Sequence, residues 1–323
     1  MILVFLFTAC SNNEEQTKEA DSATDITVAN EKIGFSILKD TKPDEKGNIF
    51  ISPTSALLTM LIVYSGTEGA TKDEIAKALY INGFSTEQID QLTKELIDCL
   101  EKDQATLQVS LANSLWLHEN FSFKKDFKER MENFYHVKIA NINPEDEQAI
   151  KQINKWVKEK TKGKIEDIVD QPLPSDLLTF IINAHYFHGS WKYEFNEDDT
   201  QEDDFFITEE ESVKVPFMSL TKELTYFETD YFQAVKLPYS NGNMSMQIFL
   251  PKESETVDSL VEDMTSETWR KWQQQFNTKV EGTIRLPKFK LEYETNLKEL
   301  LIKNGIQKLF IPGQANFSPM VEG

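Results

Sequence analysis

Two histidines three residues apart, His185 and His188, stand beside Asn183 and Trp191 in the segment NAHYFHGSW. Imidazole is the commonest metal ligand and the usual general base near neutral pH, so the pair raises the question of a zinc site or a catalytic cluster. Spacing answers it. The run LLTFIINAHYF that carries them is apolar almost without a break and reads as a central strand covered on both faces. Side chains on a strand alternate, so a separation of three sends the two rings to opposite sides of the sheet and denies them a shared metal. The other two histidines, His118 and His136, lie in unrelated contexts. No metal and no cofactor is expected, and the pair reads as bystanders.

Ten carboxylates and no base stand between Glu194 and Glu211. Paired carboxylates perform acid–base chemistry where burial drives their pKa values apart. Strung through a polar loop and hairpin they read instead as a solvated, self-repelling surface, and they lack the spaced Asp/Asn/Gly pattern of a calcium loop. The stretch GTEGAT, Gly66 to Thr71, lacks the GK[ST] ending of a phosphate loop and joins two helical patterns, so it reads as a helix–helix turn. With no G-x-S-x-G elbow and no nucleophile, base and orienting group in view, the chain is not expected to be an enzyme.

The elements that position these residues follow from periodicity. Of 323 residues, 40% are hydrophobic and 11% aromatic, enough for a sizeable core. A net charge of −20 repels nucleic acid and anionic membrane surfaces. TSALLTMLIVYSG is apolar throughout, as for a helix at the centre of a core. Thr71 with Glu74, and Ser85 with Gln88, are spaced as capping boxes. LQVSLANSLWL alternates from Leu107 to Leu117 as a strand with one buried face. Ile150, Ile153, Trp156 and Val157 form one helical stripe stopped near Gly163. Asn241-Gly242-Asn243 sits between two strand patterns as a hairpin turn. TVDSLVEDMTSETWRKWQQQF reads as helical, TIRLPKFKLEY as extended, and NLKELLIKNG as a helix ended by Gly305. Helices lead and strands dominate later, which predicts an α+β fold.

The first ten residues, MILVFLFTAC, form an apolar run too short to span a bilayer, with small residues before Cys10. They read as a lipoprotein-type signal over 1–9 with lipid on Cys10, although no basic residue precedes the run; an ordinary signal peptide or a frayed apolar terminus remains the alternative. Residues 10–26 read as a solvated tether and 27–323 as one domain. With Cys10 lipidated, Cys99 is left as an unpaired, small buried hydrophobe on a helix.

In order along the chain, NIFISPTSALLTMLIVYSGTEGATKDEI, INKWVKEKTKGKI, INAHYFHGSWKYEFNEDDT, VKVPFM, LPY, MSMQIFLP, LPKF and ANFSPM resemble the serpin family from about residue 28 to the last residue. His188 stands where lysine is usual, and Asn316 and Pro319 replace the usual Asp and Gly. The resemblance implies a serpin-like α+β fold with mixed sheets and about eight to nine helices. It also implies a monomer whose partner is a serine or papain-like cysteine protease, while the lipoprotein-type signal implies a location outside the cytoplasm, on the cell envelope or secreted. A reactive loop is cut and enters the central sheet as an extra strand. Ser52, Ser55 and Asn183 match the latch, or shutter, that lets the sheet open. Trp191 matches the breach where it first parts. Each residue also has a simpler role: Ser52 as a helix cap, Asn183 as a satisfied core amide, Trp191 as a core aromatic. The hinge, the reactive bond and the last strands are expected beyond Gly323, so residues 1–323 alone are expected to be inactive. A non-inhibitory binding or carrier protein on the same fold is the alternative.

Overall fold

The computed structural model describes residues 3–8, 26–101, 106–169, 173–174, 177–207, 210–291, 293 and 297–322. Helix α1 (Ile26–Asp40) packs across α2 (Pro53–Ser65). From Ala56 to Ser65 only Thr59 escapes full burial, as the unbroken apolar run of α2 predicts. Pro53 opens the helix at a position that needs no N–H, and the Ser52 hydroxyl caps it by accepting from the Ser55 N–H at 3.3 Å.

The turn after α2 leads directly into α3 (Gly69–Ala78), so GTEGAT does join two helices. Gly66 is required there by close approach. A Cβ at this position would lie 3.1 Å from Met320 Cβ and 3.2 Å from the Phe127 ring. The expected Thr71–Glu74 capping box does not form, because α3 starts at Gly69 and its N-cap makes no side-chain bond. Both side chains serve distant backbone instead. Thr71 Oγ1 accepts from the Asn316 N–H at 3.1 Å, and Glu74 Oε2 accepts from the N–H groups of Gln307 and Lys308 at 3.0 and 2.9 Å. Asn316 also donates to Glu68 at 3.2 Å, so the ANFSPM segment docks on the α2–α3 turn.

Helix α4 (Thr86–Leu100) opens with the expected Ser85–Gln88 capping box. Cys99 near its end is disulfide-bonded, not the lone thiol that the sequence suggests. Helix α5 (Lys125–Phe134) precedes α6 (Glu147–Lys160), which buries Ile153, Trp156 and Val157 as its stripe predicts. Gly163, at φ 77°, follows its end. The long helical pattern near residue 260 is two helices, α7 (Val257–Asp263) and α8 (Ser266–Gln275). Thr265 breaks it, because its side chain caps the second helix by accepting from Thr268 N–H at 3.1 Å. Helix α9 (Leu297–Lys303) ends before Gly305, which adopts φ 91°. Nine α-helices are present among the described residues.

Nine strands are present among the described residues: β1 (Leu3–Thr8), β2 (Leu107–His118), β3 (Val137–Ile142), β4 (Thr179–Gly189), β5 (Gln201–Phe206), β6 (Ser212–Glu228), β7 (Phe232–Pro238), β8 (Met244–Pro251) and β9 (Lys279–Pro287). One sheet has the order β3-β2-β4, with β3 parallel and β4 antiparallel to β2. The other runs β1-β8-β7-β6-β5, with β9 also on β6. The hairpin expected at Asn241–Asn243 joins β7 to β8, and Asn241 Oδ1 holds it by accepting from the N–H groups of Asn243 and Met244.

Two strand expectations need correction. β2 is buried on both faces from Leu111 to Leu117, not on one. Leu107, Leu111 and Leu115 join the core around α2, while Ala112 and Trp116 face α6. β4, expected at the centre of a sheet, pairs only with β2 among the described residues, and of its residues only Ile182 and Ala184 are fully buried. The opening run, read as a targeting segment, lies antiparallel along β8 from Leu3 opposite Phe249 to Thr8 opposite Met244. Cys10 and the greater part of the expected tether, residues 10–25, lie outside the described residues. Among the described residues no helix is long and apolar enough to cross a membrane.

Candidate functional site: a polar latch beneath the three-stranded sheet

Asn113 and Asn183 sit directly opposite each other on β2 and β4, both turned toward α2. A primary amide in a core must satisfy both its carbonyl and its amino group, because an unmet buried polar group costs about 1–3 kcal/mol. Here the needs are met in series. The Ser55 hydroxyl donates to Asn183 Oδ1, Asn183 Nδ2 donates to Asn113 Oδ1, and Asn113 Nδ2 donates to the Tyr135 carbonyl at 3.4 Å. Asn113 is only 1% exposed, so this string lies in a dry environment where each bond strengthens the next.

Tyr135 extends the string back to the far end of α2. Its hydroxyl donates to Asp90 Oδ1 at 2.9 Å and lies 2.9 Å from Ser65 Oγ, while Arg130 Nε stands 3.0 Å from the other Asp90 oxygen. Burial pushes the Asp90 carboxyl above its ordinary range, opposed by the Tyr135 bond and the Arg130 charge. Both ends of α2 are thus tied into one polar chain through β4, β2 and the residue after α5.

Ser52, Ser55 and Asn183, singled out in the sequence, are brought together; Trp191 is not. It lies eight residues beyond Asn183, roughly 26 Å along an extended strand. There it stacks on Tyr239, with ring centroids 4.7 Å apart and planes within 9°, and makes an isolated bridge to the same residue. Tyr239 in turn meets the edge of Phe187 at 5.0 Å. Trp191 therefore pins the end of β4 to the β7–β8 hairpin of the other sheet, serving as a packed aromatic at the sheet's end.

Three participants escaped the sequence reading. Asn113 is a lone amide on the apolar face of an alternating strand, a signal available in the sequence but not used. His185 is two residues from Asn183 and so shares its face. It is not a bystander, since its Nδ1 lies 3.2 Å from Ser52 Oγ. Tyr135 follows a helix whose pattern gives no hint of its partners. His188 lies on the opposite face, as expected, and is exposed, which a strand covered on both faces did not predict.

The acidic stretch takes the form of a 3₁₀ turn at Glu197–Asp199 followed by β5. Asp203 pairs with Arg285 and Asp204 with Lys214, each at 2.8 Å. Asp203 and Arg285 border an open cleft of about 640 Å³ between β5, β6 and β9. The hydrogen bond from Arg285 holds Asp203 below the usual carboxylate range, the opposite of what a general acid needs. Among the described residues no group of three or more His, Cys, Asp or Glu side chains is placed to hold a metal ion.

Comparison with known proteins completes the description. The serpin (serine protease inhibitor) family model matches residues 28–323. A serpin-like protein of Methanosarcina acetivorans is 31% identical over 314 residues, covering 94% of this chain and 73% of that protein. The leukocyte elastase inhibitor of Equus caballus is 32% identical over 289 residues, covering 86% and 75%. Among solved structures, the thermophilic serpin tengpin in its native state superposes with a TM-score of 0.83 at 26% identity, over 97% of this chain and 78% of that one. The family model over residues 28–323 and the collinear similarity to these relatives over nearly the whole chain lead to one assignment: the chain belongs to the serpin family.

Proposed function

We propose that the complete protein inhibits a serine-type or papain-like cysteine protease by letting its own cleaved loop enter the three-stranded sheet beside β4. The observation that carries this reading is the latch itself. Asn183 sits at the middle of β4, bonded to side chains rather than locked into an apolar core, and β4 pairs on one side only among the described residues. Side-chain bonds of this kind can be exchanged one for another as a strand arrives, whereas a dry apolar contact must be broken outright. The protease attacks the loop with its own nucleophile and forms an acyl-enzyme. Strand insertion then carries the protease across the sheet before water releases it. The chain's role in this reaction is mechanical, as an inhibitor rather than a catalyst. The test uses the full-length protein. Mixed with serine and papain-like proteases, it is expected to yield a covalent complex that survives denaturing electrophoresis. Clean cleavage with no complex overturns the inhibitor reading and favours the carrier alternative.

The same reading places the protein outside the cytoplasm, attached by lipid at Cys10. This rests on the sequence pattern of residues 1–10. The processed form is expected to partition into detergent. The Cys10→Ala variant is expected to stay in the aqueous phase. Equal partitioning of both forms refutes the anchor.

A further inference from the structure

At the Ser52 end of the latch, the contact between Ser52 and His185 can change charge. Ser52 Oγ already accepts from the Ser55 N–H, so its own proton is available to His185 Nδ1 at 3.2 Å. That arrangement needs a neutral ring with its proton on Nε2. Solvent reaches part of the residue, but Nε2 is sealed and finds no hydrogen-bond partner. A second proton reverses the Nδ1 contact and drives charge into the sealed side of the ring. Among the described residues the elements packed against it offer no charge to offset it. Between Pro53 and Ser65, α2 carries no charged residue, and its single titratable group, Tyr64, is at the far end. β2 carries none from Leu107 to Leu117, and on β4 itself His188 emerges on the opposite face. Burial, with no charge opposing it, pushes the imidazole down to about 4.

We propose that His185 is a proton-sensitive latch: its neutral ring ties β4 to the start of α2 through Ser52, and protonation releases β4. This deepens the loop-insertion reading and rests on it for its purpose, because a sheet loosened by acid accepts an additional strand more readily. A histidine whose folded pKa is depressed contributes stability that is complete above its ordinary value near 6.5. That contribution is lost as pH falls toward 4, because the opened form binds the extra proton.

Native-state hydrogen exchange reads this directly, corrected for the intrinsic pH dependence of exchange. Amides of β4 are followed between pH 7.5 and 5.0, with β7 and β8 as internal controls. Protection of β4 in the wild-type chain is expected to fall by about 30-fold over this range, since 1.5 units below the open-form pKa correspond to that factor. His185→Gln and His185→Leu are both expected to abolish the pH dependence in β4, and β7 and β8 are expected to behave alike in all three proteins. Two variants are used so that one folding failure leaves the test intact. Unchanged β4 protection in the wild type, or the same pH dependence in a folded variant, overturns the latch. Exchange needs no protease, so the two readings fail separately. A chain that traps protease but shows flat exchange keeps the inhibitor and loses the latch; acid-sensitive exchange without trapping does the reverse.

Discussion

Trp116→Ala is expected to lower the unfolding free energy by about 3–5 kcal/mol, the range for truncating a fully buried large aromatic. Trp116 is 0% exposed. Its ring meets Trp156 of α6 edge-on, with centroids 6.2 Å apart and planes at 79°, an arrangement that adds to the area it buries. Its Nε1–H donates to Ser114 Oγ at 2.8 Å, so the polar end of the indole is satisfied as well. The Lys138 ammonium lies 5.2 Å from the same ring. Alanine removes all of this and leaves a cavity between the sheet and α6, where the stiff β2 backbone cannot collapse. Urea denaturation at neutral pH measures the loss. A change below about 1 kcal/mol would mean that the α6 face of the sheet is loosely packed.

Asn183→Ala is expected to cost about 2–3 kcal/mol, although it removes far less volume. The loss comes from stranded partners: the Ser55 hydroxyl loses its acceptor, and Asn113 Oδ1 loses its donor in a dry site. Pairing the change with Asn113→Ala separates the polar string from mere packing. Neighbours in one network couple by about 0.5–3 kcal/mol, so the double variant should cost clearly less than the sum of the two single changes. Strict additivity in that cycle would show that the two amides do not act as a unit. The second expected signature is functional: with the latch cut, the full-length protein should convert faster to forms in which β4 has gained a neighbour.

The fold was legible where local signals agree with tertiary packing. The apolar run of α2, the capping box at Ser85 and the turn at Asn241 each specify their element from a few adjacent residues, and each appears as expected. Legibility failed where a side chain has two uses. Thr71 and Glu74 have capping spacing, yet their oxygens bind the backbone of residues more than two hundred positions away, a competition no local pattern reveals. Thr265 interrupts an otherwise continuous helical pattern because it caps a second helix more favourably than it extends the first. β4 reads as central because its residues are apolar, but composition records what a strand tolerates beside it, not which neighbours it has. At the latch, family resemblance located Ser52, Ser55 and Asn183. Alternation alone would have added Asn113 and His185, since each lies on the face already marked by Asn183.

The hexapeptide Leu3–Thr8 lying along β8 acts as a rib on that strand's outer side. It supplies backbone partners to Met244 through Phe249, a stretch of β8 that is largely buried. Were the proposed cleavage before Cys10 to remove that rib, it would leave a row of orphaned amides and carbonyls on an oily ribbon, the kind of seam that recruits any extended segment within reach.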